Sequence, residues 1–251
     1  MNSGILAIDK SEGWTSHDVV AVARGVLGIR RVGHGGTLDP LATGLLAVLV
    51  GETTRATERI HTAPKVYDAL VRFGSETATD DREGEATRSA AAPAAASDIE
   101  TALVPLRGAI SQVPPTYAAV KVGGRTAYSR ARSGESIALA AREVQVHRIE
   151  MTEWNPPDAR LLIVCGSGTY VRSIARDLGR ALGSAAHLAA LRRLAIGALD
   201  IADAIGIEAL RAAGRDAAVA RLVVMSDETL ALPRRYLDES AGKLVGAGGP
   251  T

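Results

Sequence analysis

The densest turn chemistry in the sequence lies between two apolar segments, as Gly33-His34-Gly35-Gly36-Thr37-Leu38-Asp39-Pro40-Leu41-Ala42-Thr43-Gly44. Four glycines among twelve residues mark a backbone that turns sharply or lets a ligand approach closely. No Gly-Lys-Ser/Thr follows at phosphate-loop spacing, and the pattern is not a dinucleotide fingerprint. Asp39 before Pro40 reads in two ways. It is a turn initiator, or it is a carboxylate held on a rigid loop and usable as nucleophile or base. His34 is either a loop hydrogen-bonder or a substrate contact, and spacing does not choose.

A second group, Gly166-Ser-Gly-Thr-Tyr170-Val-Arg172, joins a strand-like run to a helical one. Such turns place side chains and free N–H groups at a substrate edge. Arg172, Arg176 and Arg180 recur every four residues and share one helix face. That face is solvated, or Arg172 pairs with a carboxylate while Arg176 and Arg180 meet phosphates. Tyr67 sits on the apolar side of an alternating strand and reads first as core, although aromatics are only 3% of the chain. Lys65 projects from the same face and could reach an anion. The run Asp80-Asp81-Arg82-Glu83-Gly84-Glu85 lacks calcium-loop spacing and reads as a solvated loop. His17, His61, His147 and His187 show no metal-ligand spacing, so no metal is expected. Pro114-Pro-Thr-Tyr117 matches a proline-rich docking pattern but is flanked by structured sequence and is set aside.

The elements that must position these groups follow from periodicity. Ile5–Ile8, Leu45–Val50, Val66–Gly74, Val144–Ile149 and Leu161–Cys165 read as strands. Helices are expected at His17–Leu27, closed by Gly28, and at Asp98–Leu106, opened by a Ser97…Glu100 capping box. A third runs from about Tyr170 to Leu182 with Val171, Ile174, Ala175, Leu178 and Leu182 as its buried stripe. Gly183 stops it, and Ser184 is expected to cap a further helix to Arg193. Residues 89–97 are low complexity and expected to be a variable surface loop.

Size and composition bound the answer. The 251 residues, 47% apolar and 23% charged, suit one large domain or one domain plus a small appendage, and exclude disorder or a disulfide scaffold. The single cysteine, Cys165, allows no intramolecular disulfide and no multi-cysteine zinc site. No signal peptide or membrane-length apolar run is present, which points to the cytoplasm. The 29 basic and 28 acidic residues nearly cancel, but the signs are segregated. Residues 121–132 carry Lys121, Arg125, Arg130 and Arg132 without an acid, residues 172–193 are strongly basic, and residues 76–85 are strongly acidic. A neutral chain arranged so can still present a basic face to a polyanion.

Taken in order, these pieces resemble the tRNA pseudouridine synthase B (TruB) family over about residues 4–200. The series runs Gly4-Ile-Leu-Ala-Ile-Asp9-Lys10, Gly13-Trp-Thr-Ser16, the Gly33–Gly44 loop, Lys65-Val-Tyr67, then Gly74, Thr77, Thr79, Asp81 and Gly84. It continues with Gln112-Val-Pro-Pro-Thr-Tyr117-Ala-Ala-Val-Lys121, Gly168-Thr-Tyr170-Val-Arg172 and Leu191-Arg192-Arg193. The resemblance implies an α+β pseudouridine synthase fold, a mixed and mostly antiparallel sheet flanked by helices and loops. Asp39 then matches the catalytic aspartate, Tyr67 the active-site tyrosine that stacks on the target base, and Arg172 the arginine that pairs with the aspartate. His34, Tyr170 and Leu191 match substrate-contacting positions. Lys10, Lys65, Lys121, Arg125, Arg176, Arg180 and Arg192 are the expected contacts to the RNA backbone. Ser11, Gly35 and Ala118 depart from the family's commonest residues (proline, threonine and serine).

The expected activity is isomerisation of the uridine at position 55 in the TΨC stem-loop of tRNA, by a monomer without an obligate protein partner. The reaction breaks N1–C1′, turns the base and forms C5–C1′. It needs no electrons, donor or net water, so no cofactor is expected. It does need an ionised carboxylate, favoured by a guanidinium nearby, and an aromatic platform for a flipped nucleotide. Whether Asp39 attacks C1′, adds to the base or removes a sugar proton stays open. The alternatives are a non-catalytic RNA-binding or RNA-folding module of the same fold, and a nucleosidase, which would need a second carboxylate to activate water. Residues 1–230 are expected to form the catalytic domain. Residues 231–251 are expected to be a tail, the start of a truncated PUA-like RNA-binding domain.

Overall fold

The computed structural model describes residues 3–118, 120–122, 124–126, 130, 139–231 and 236. The backbone of one large sheet is built by β1 (Gly4–Lys10), β2 (Val32–His34), β3 (Thr43–Val50), β4 (Lys65–Phe73), β7 (Gly108–Gln112), β10 (Arg142–Asn155), β11 (Asp158–Cys165), β12 (Ala186–Ile196), β13 (Leu199–Asp200) and β14 (Ile205–Gly206). Its order is β14-β1-β3-β12-β4-β11-β10-β7, with β2 added beside β3 and β13 beside β12. Two small ribbons complete the strands, β5 (Ser75–Thr77) with β6 (Ala86–Ser89) and β8 (Lys121–Val122) with β9 (Arg125–Thr126). Most pairings are antiparallel. The parallel ones join β1 to β14 and β3 to β12.

The helices cover the sheet in two groups. α1 (Ser16–Leu27) and α5 (Ile207–Ala220) pack on β1 and β3 through Val19, Val20, Ala23, Leu27 and Leu210. α3 (Ala96–Leu103) and α4 (Val171–Ala181) pack on β4, β10, β11 and β12 through Ile99, Leu103, Val171, Ile174, Ala175 and Leu178. Short helices α2 (Thr57–Thr62) and α6 (Asp227–Leu230) contribute Ile60 and Leu230 to a further cluster with Ile5, Ala7, Leu45, Ala47 and Leu49 of β1 and β3. β3 is buried from Gly44 to Val50, which is why its sequence is a continuous apolar run rather than an alternating one. The two halves of the sheet meet where β3 and β12 pair over only two positions, Thr43 with Arg192 and Gly44 with Arg193. That seam is where the site lies.

Three expectations are corrected. The Ser97…Glu100 capping box does not form: α3 starts two residues earlier, with Ala95 as an N-cap that has no side-chain bond, and residues 104–106 tighten into a 3-10 turn. Ser97 lies inside the helix, where its carbonyl accepts from Thr101 Oγ1. The largest miss is the helix expected up to Arg193, because residues 186–196 are the central strand β12. Ala-His-Leu-Ala-Ala-Leu-Arg-Arg-Leu has helical composition, but nine cross-strand positions with β4 override it. The loop expected at 89–97 spans 90–95 only, since Ser89 ends β6 and Ala96 begins α3. α1 gains a capping box unread in the sequence, with Thr15 and Asp18 each accepting from the other's backbone N–H.

Candidate active site

Asp39 is presented by the loop between β2 and β3, and the loop is gripped on three sides. Leu38 exchanges two hydrogen bonds with the buried Ser16 hydroxyl at the start of α1, its N–H donating at 3.0 Å and its carbonyl accepting at 3.1 Å. The Pro40 carbonyl accepts from the Gly13 N–H at 2.9 Å and from Lys10 Nζ at 3.3 Å. Asp39's own carbonyl accepts from Ala42 N at 3.0 Å, closing a turn. At the loop's far end Gly44 adopts φ 97°, and a Cβ there would stand 2.3 Å from the Arg193 carbonyl. Glycine is required at that seam. Gly35, the departure from threonine, is crowded by a side chain instead, since a Cβ would lie 2.1 Å from Ile60 Cγ2.

Facing this loop, Arg172 enters from the first turn of α4. Its guanidinium is buried and stands between two carboxylates, 3.0 Å from Asp39 Oδ2 and 3.5 Å from Asp81 Oδ2. It also donates to the carbonyls of Thr79 and Tyr117, both at 3.1 Å. The Asp39 side chain keeps 40% of its exposure, whereas that of Asp81 keeps 5%. Asp39 therefore faces the open site, and Asp81 holds the arginine from behind. Asp81 Oδ1 accepts from Thr79 Oγ1 at 2.5 Å and from Glu83 N at 3.1 Å.

Tyr67 on β4 and Arg193 on β12 are cross-strand partners. Arg193 is buried, donating from Nε to the Leu45 carbonyl at 2.7 Å and from NH2 to the Gly36 carbonyl at 3.1 Å. Burial pushes the Tyr67 phenol up, the Arg193 charge opposes that shift, and the Asp39 carboxylate adds to it. Leu191, two residues before Arg193 and so on the same face, packs partly buried against the core beside Tyr67. Tyr170 caps α4. The amide of buried Gln112 holds its backbone twice, accepting from Tyr170 N at 2.8 Å and donating to its carbonyl at 3.1 Å. Arg142 lies over the Tyr170 ring, 4.8 Å from its centroid. His34 on β2 meets His17 edge-on at 5.6 Å, and burial lowers its pKa and favours the neutral ring. Its Nδ1 is buried without a hydrogen-bond partner among the described residues.

Several expected phosphate contacts are corrected by burial. Lys10 Nζ is enclosed by the carbonyls of Ser11, Trp14 and Pro40. Lys65 Nζ is enclosed by those of Ile60, His61 and Ala63. Burial lowers both ammonium groups to about 8. Both side chains are buried, and Lys10 supports the Asp39 loop through the Pro40 carbonyl. Arg176 is buried as well, with NH1 2.6 Å from Asp80 Oδ2 and NH2 donating to the Val113 carbonyl at 2.9 Å. Arg180 forms a fork on Glu76, yet its side chain remains 57% exposed. Arg192 pairs with Asp9 Oδ2 at 2.7 Å and is 38% exposed. The acidic run is a solvated loop only in part: Arg82, Glu83 and Glu85 are exposed, whereas Asp80 and Asp81, like Glu76 before them, are buried and paired with the arginines of α4. The backbones of Lys121 and Arg125 lie in the β8–β9 ribbon, and their side chains and Arg132 are outside the described residues.

Asp81, Arg193, Gln112 and Ser16 were the residues missed as site residues. Each stands inside a motif of the sequence, but nothing in spacing says which polar group turns inward. Among the described residues no three His, Cys, Asp or Glu side chains gather as a metal site, and no helix is long and apolar enough to cross a membrane.

Comparison with known proteins agrees with this geometry. The family described as "TruB family pseudouridylate synthase (N terminal domain)" matches residues 24–171, and "tRNA pseudouridylate synthase B C-terminal domain" matches 172–231. The tRNA pseudouridine synthase B of Arthrobacter sp. (strain FB24) is 42% identical over 99% of this chain and 84% of its own. That of Thermobifida fusca (strain YX) is 46% identical over 84% and 75%. Among solved structures, an archaeal box H/ACA Nop10–Cbf5 complex aligns with TM-score 0.66 at 24% identity, covering 92% of this chain and 62% of the other, a likeness of fold. A Cbf5–Nop10–Gar1 complex aligns at 0.64 and 28%, covering 87% and 62%. The sheet order, the loop carrying Asp39 opposite Arg172, and these matches along nearly the whole chain lead to one assignment: the protein belongs to the TruB family of pseudouridylate synthases.

Proposed function

We propose that this protein converts uridine to pseudouridine in tRNA, at position 55 of the TΨC stem-loop. The observation that carries the reading is the Asp39 carboxylate, part-exposed at the sheet seam and 3.0 Å from a buried guanidinium. Isomerisation at C1′ calls for a carboxylate kept ionised and aimed, and Arg172 supplies both the charge and the direction. With Oδ2 turned to Arg172, Oδ1 makes no hydrogen bond among the described residues and can face the ribose or the base. Tyr67 and Tyr170 supply ring faces for the flipped uracil, with Leu191 beside them, and His34 stands on the β2 side with an unpartnered nitrogen. The Tyr67 phenol, kept protonated by burial, can give or relay a proton as hydrogen leaves C5 and N1 gains one.

The nucleosidase alternative loses support. The other carboxylate on Arg172, that of Asp81, is buried against the guanidinium rather than free to activate water. Arg180 and Arg192, the part-exposed arginines, are candidates for the phosphate backbone, together with Lys121 and Arg125. Residues 1–230 act as the catalytic body, a reading supported by one large sheet that runs from β14 at one edge to β7 at the other and draws its strands from residues 4–206. The test is incubation with unmodified tRNA and mapping of pseudouridine at single-nucleotide resolution. Conversion at position 55, lost in Asp39→Asn with tRNA binding kept within about threefold, is expected. Binding without conversion would favour the non-catalytic RNA module.

A further inference from the structure

Helix α4 sends three arginines toward one acidic segment, and only the first of them touches Asp39. The second is the informative one. Arg176 is buried, its guanidinium reaches neither Asp39 nor Tyr67 in any bond of the structure, and all three of its nitrogens are committed: Nε to Asp177 Oδ1 at 2.9 Å, NH1 to Asp80 Oδ2 at 2.6 Å, and NH2 to the Val113 carbonyl at 2.9 Å. Asp80 is the non-glycine residue that adopts a left-handed backbone, at φ 61°, among the described residues. That conformation is disfavoured for a residue with a Cβ and persists only where the surroundings hold it. Asp80 is held by the ion pair inside and by its carbonyl outside, which accepts from Leu188 N at 3.0 Å while Arg82 N donates to the Leu188 carbonyl.

The next residue along is Asp81, which backs Arg172. On the other side, the Val113 carbonyl that Arg176 holds, together with Ser173 Oγ at 2.9 Å, begins the segment leading to Tyr117, whose carbonyl is a second acceptor for Arg172. Arg176 thus ties down both chain segments that surround the Arg172 guanidinium, those at 79–81 and at 113–117. A planar fork with donors in three directions can do this, and a lysine has only one nitrogen to share among the three.

Resting on the reading of Asp39 and Arg172 as the reacting pair, we infer that the buried Arg176–Asp80 ion pair is a positioning element for catalysis: it sets Asp81, and through Asp81 the orientation of Arg172 toward Asp39. Arg176 is a positioning residue and binds no phosphate.

The experiment measures single-turnover pseudouridine formation on tRNA, tRNA affinity at two salt concentrations, and melting, for Arg176→Lys, Asp81→Asn and the double variant. Arg176→Lys is expected to slow turnover by about tenfold or more, since small misplacements near reacting groups are costly, while affinity and its salt dependence stay within about twofold. In the Asp81→Asn background the same change is expected to have little further effect, because the residue it acts through is already disabled. If Arg176→Lys does not fold, Asp80→Asn combined with Arg176→Gln, which replaces the charges by an amide pair, takes its place under the same criteria. Wild-type turnover by Arg176→Lys overturns the inference. So does an equal loss in the Asp81→Asn background, and so does weaker tRNA binding with a shallower salt dependence, which would return Arg176 to the phosphates. A wild-type protein that forms no pseudouridine overturns the functional reading and this inference with it, whereas an active wild type with an indifferent Arg176→Lys overturns this inference alone.

Discussion

Replacing Arg172 by methionine separates what the guanidinium does for the fold from what it does for the chemistry. The change leaves the Asp81 carboxylate, 5% exposed, without its cation, and strips a donor from the carbonyls of Thr79 and Tyr117. Removing one partner of a buried ion pair costs about 3–5 kcal/mol, most of it from the charge left behind. For a chain of this size about 2–4 °C of melting temperature accompanies each kcal/mol, so a fall of about 6–20 °C is expected. Adding Asp81→Asn removes the stranded charge and should return about 1–3 kcal/mol of that loss. Turnover should not return with it. Without a cation facing Asp39, the rate should stay at least about a hundredfold below wild type in both variants. Thermal melting and single-turnover pseudouridine formation, measured on the same preparations, give the two readouts. A single variant melting within about 2 °C of wild type would refute the stability argument. A double variant that regains turnover together with stability would show that Arg172 is only a strut.

Tyr67→Phe keeps the ring and should melt within about 1 kcal/mol of wild type, yet lose at least about a hundredfold in turnover if the phenol handles a proton. A near wild-type rate would leave the ring with stacking alone. Gly44→Ala would place a Cβ 2.3 Å from the Arg193 carbonyl at φ 97°, so a loss of about 2–5 kcal/mol in urea unfolding is expected, and an unchanged midpoint would mean the seam is looser than described. The pH dependence has a definite sign. Lys10 and Lys65, lowered by burial from 10.5 to about 8, bind fewer protons folded than unfolded between those values, so their destabilisation is full below about pH 8 and relieved as pH rises. Stability should therefore climb between about pH 8 and 9, before Cys165, raised by burial from 9.0 to about 12, opposes it, and a flat or falling urea midpoint across that interval would contradict the assignment.

What the sequence determined by itself was the chemistry and most of the scaffold. The Gly33–Gly44 loop and the Gly168–Arg172 turn are local patterns whose residue types mark a candidate site, and the apolar runs at 45–50 and 161–165 read as the buried strands they form. Asp39 and Arg172 are 133 positions apart, yet the family resemblance carried by the ordered motifs implies their pairing, and the structure places them in contact at 3.0 Å. What tertiary structure alone decided was the fate of charges and of ambiguous segments. Residues 186–193 have helical composition, and only their pairing with β4 makes them a strand. Lys10, Lys65 and Arg176 look like surface cations because a side chain's type does not say which carbonyl or carboxylate will be waiting for it. The acidic run at 76–85 and the arginines of α4 lie far apart in the chain, and Coulomb attraction in a buried setting is a property of distance in space. The fold brought the two together, and so turned what reads as a basic face into the internal support of the reacting pair.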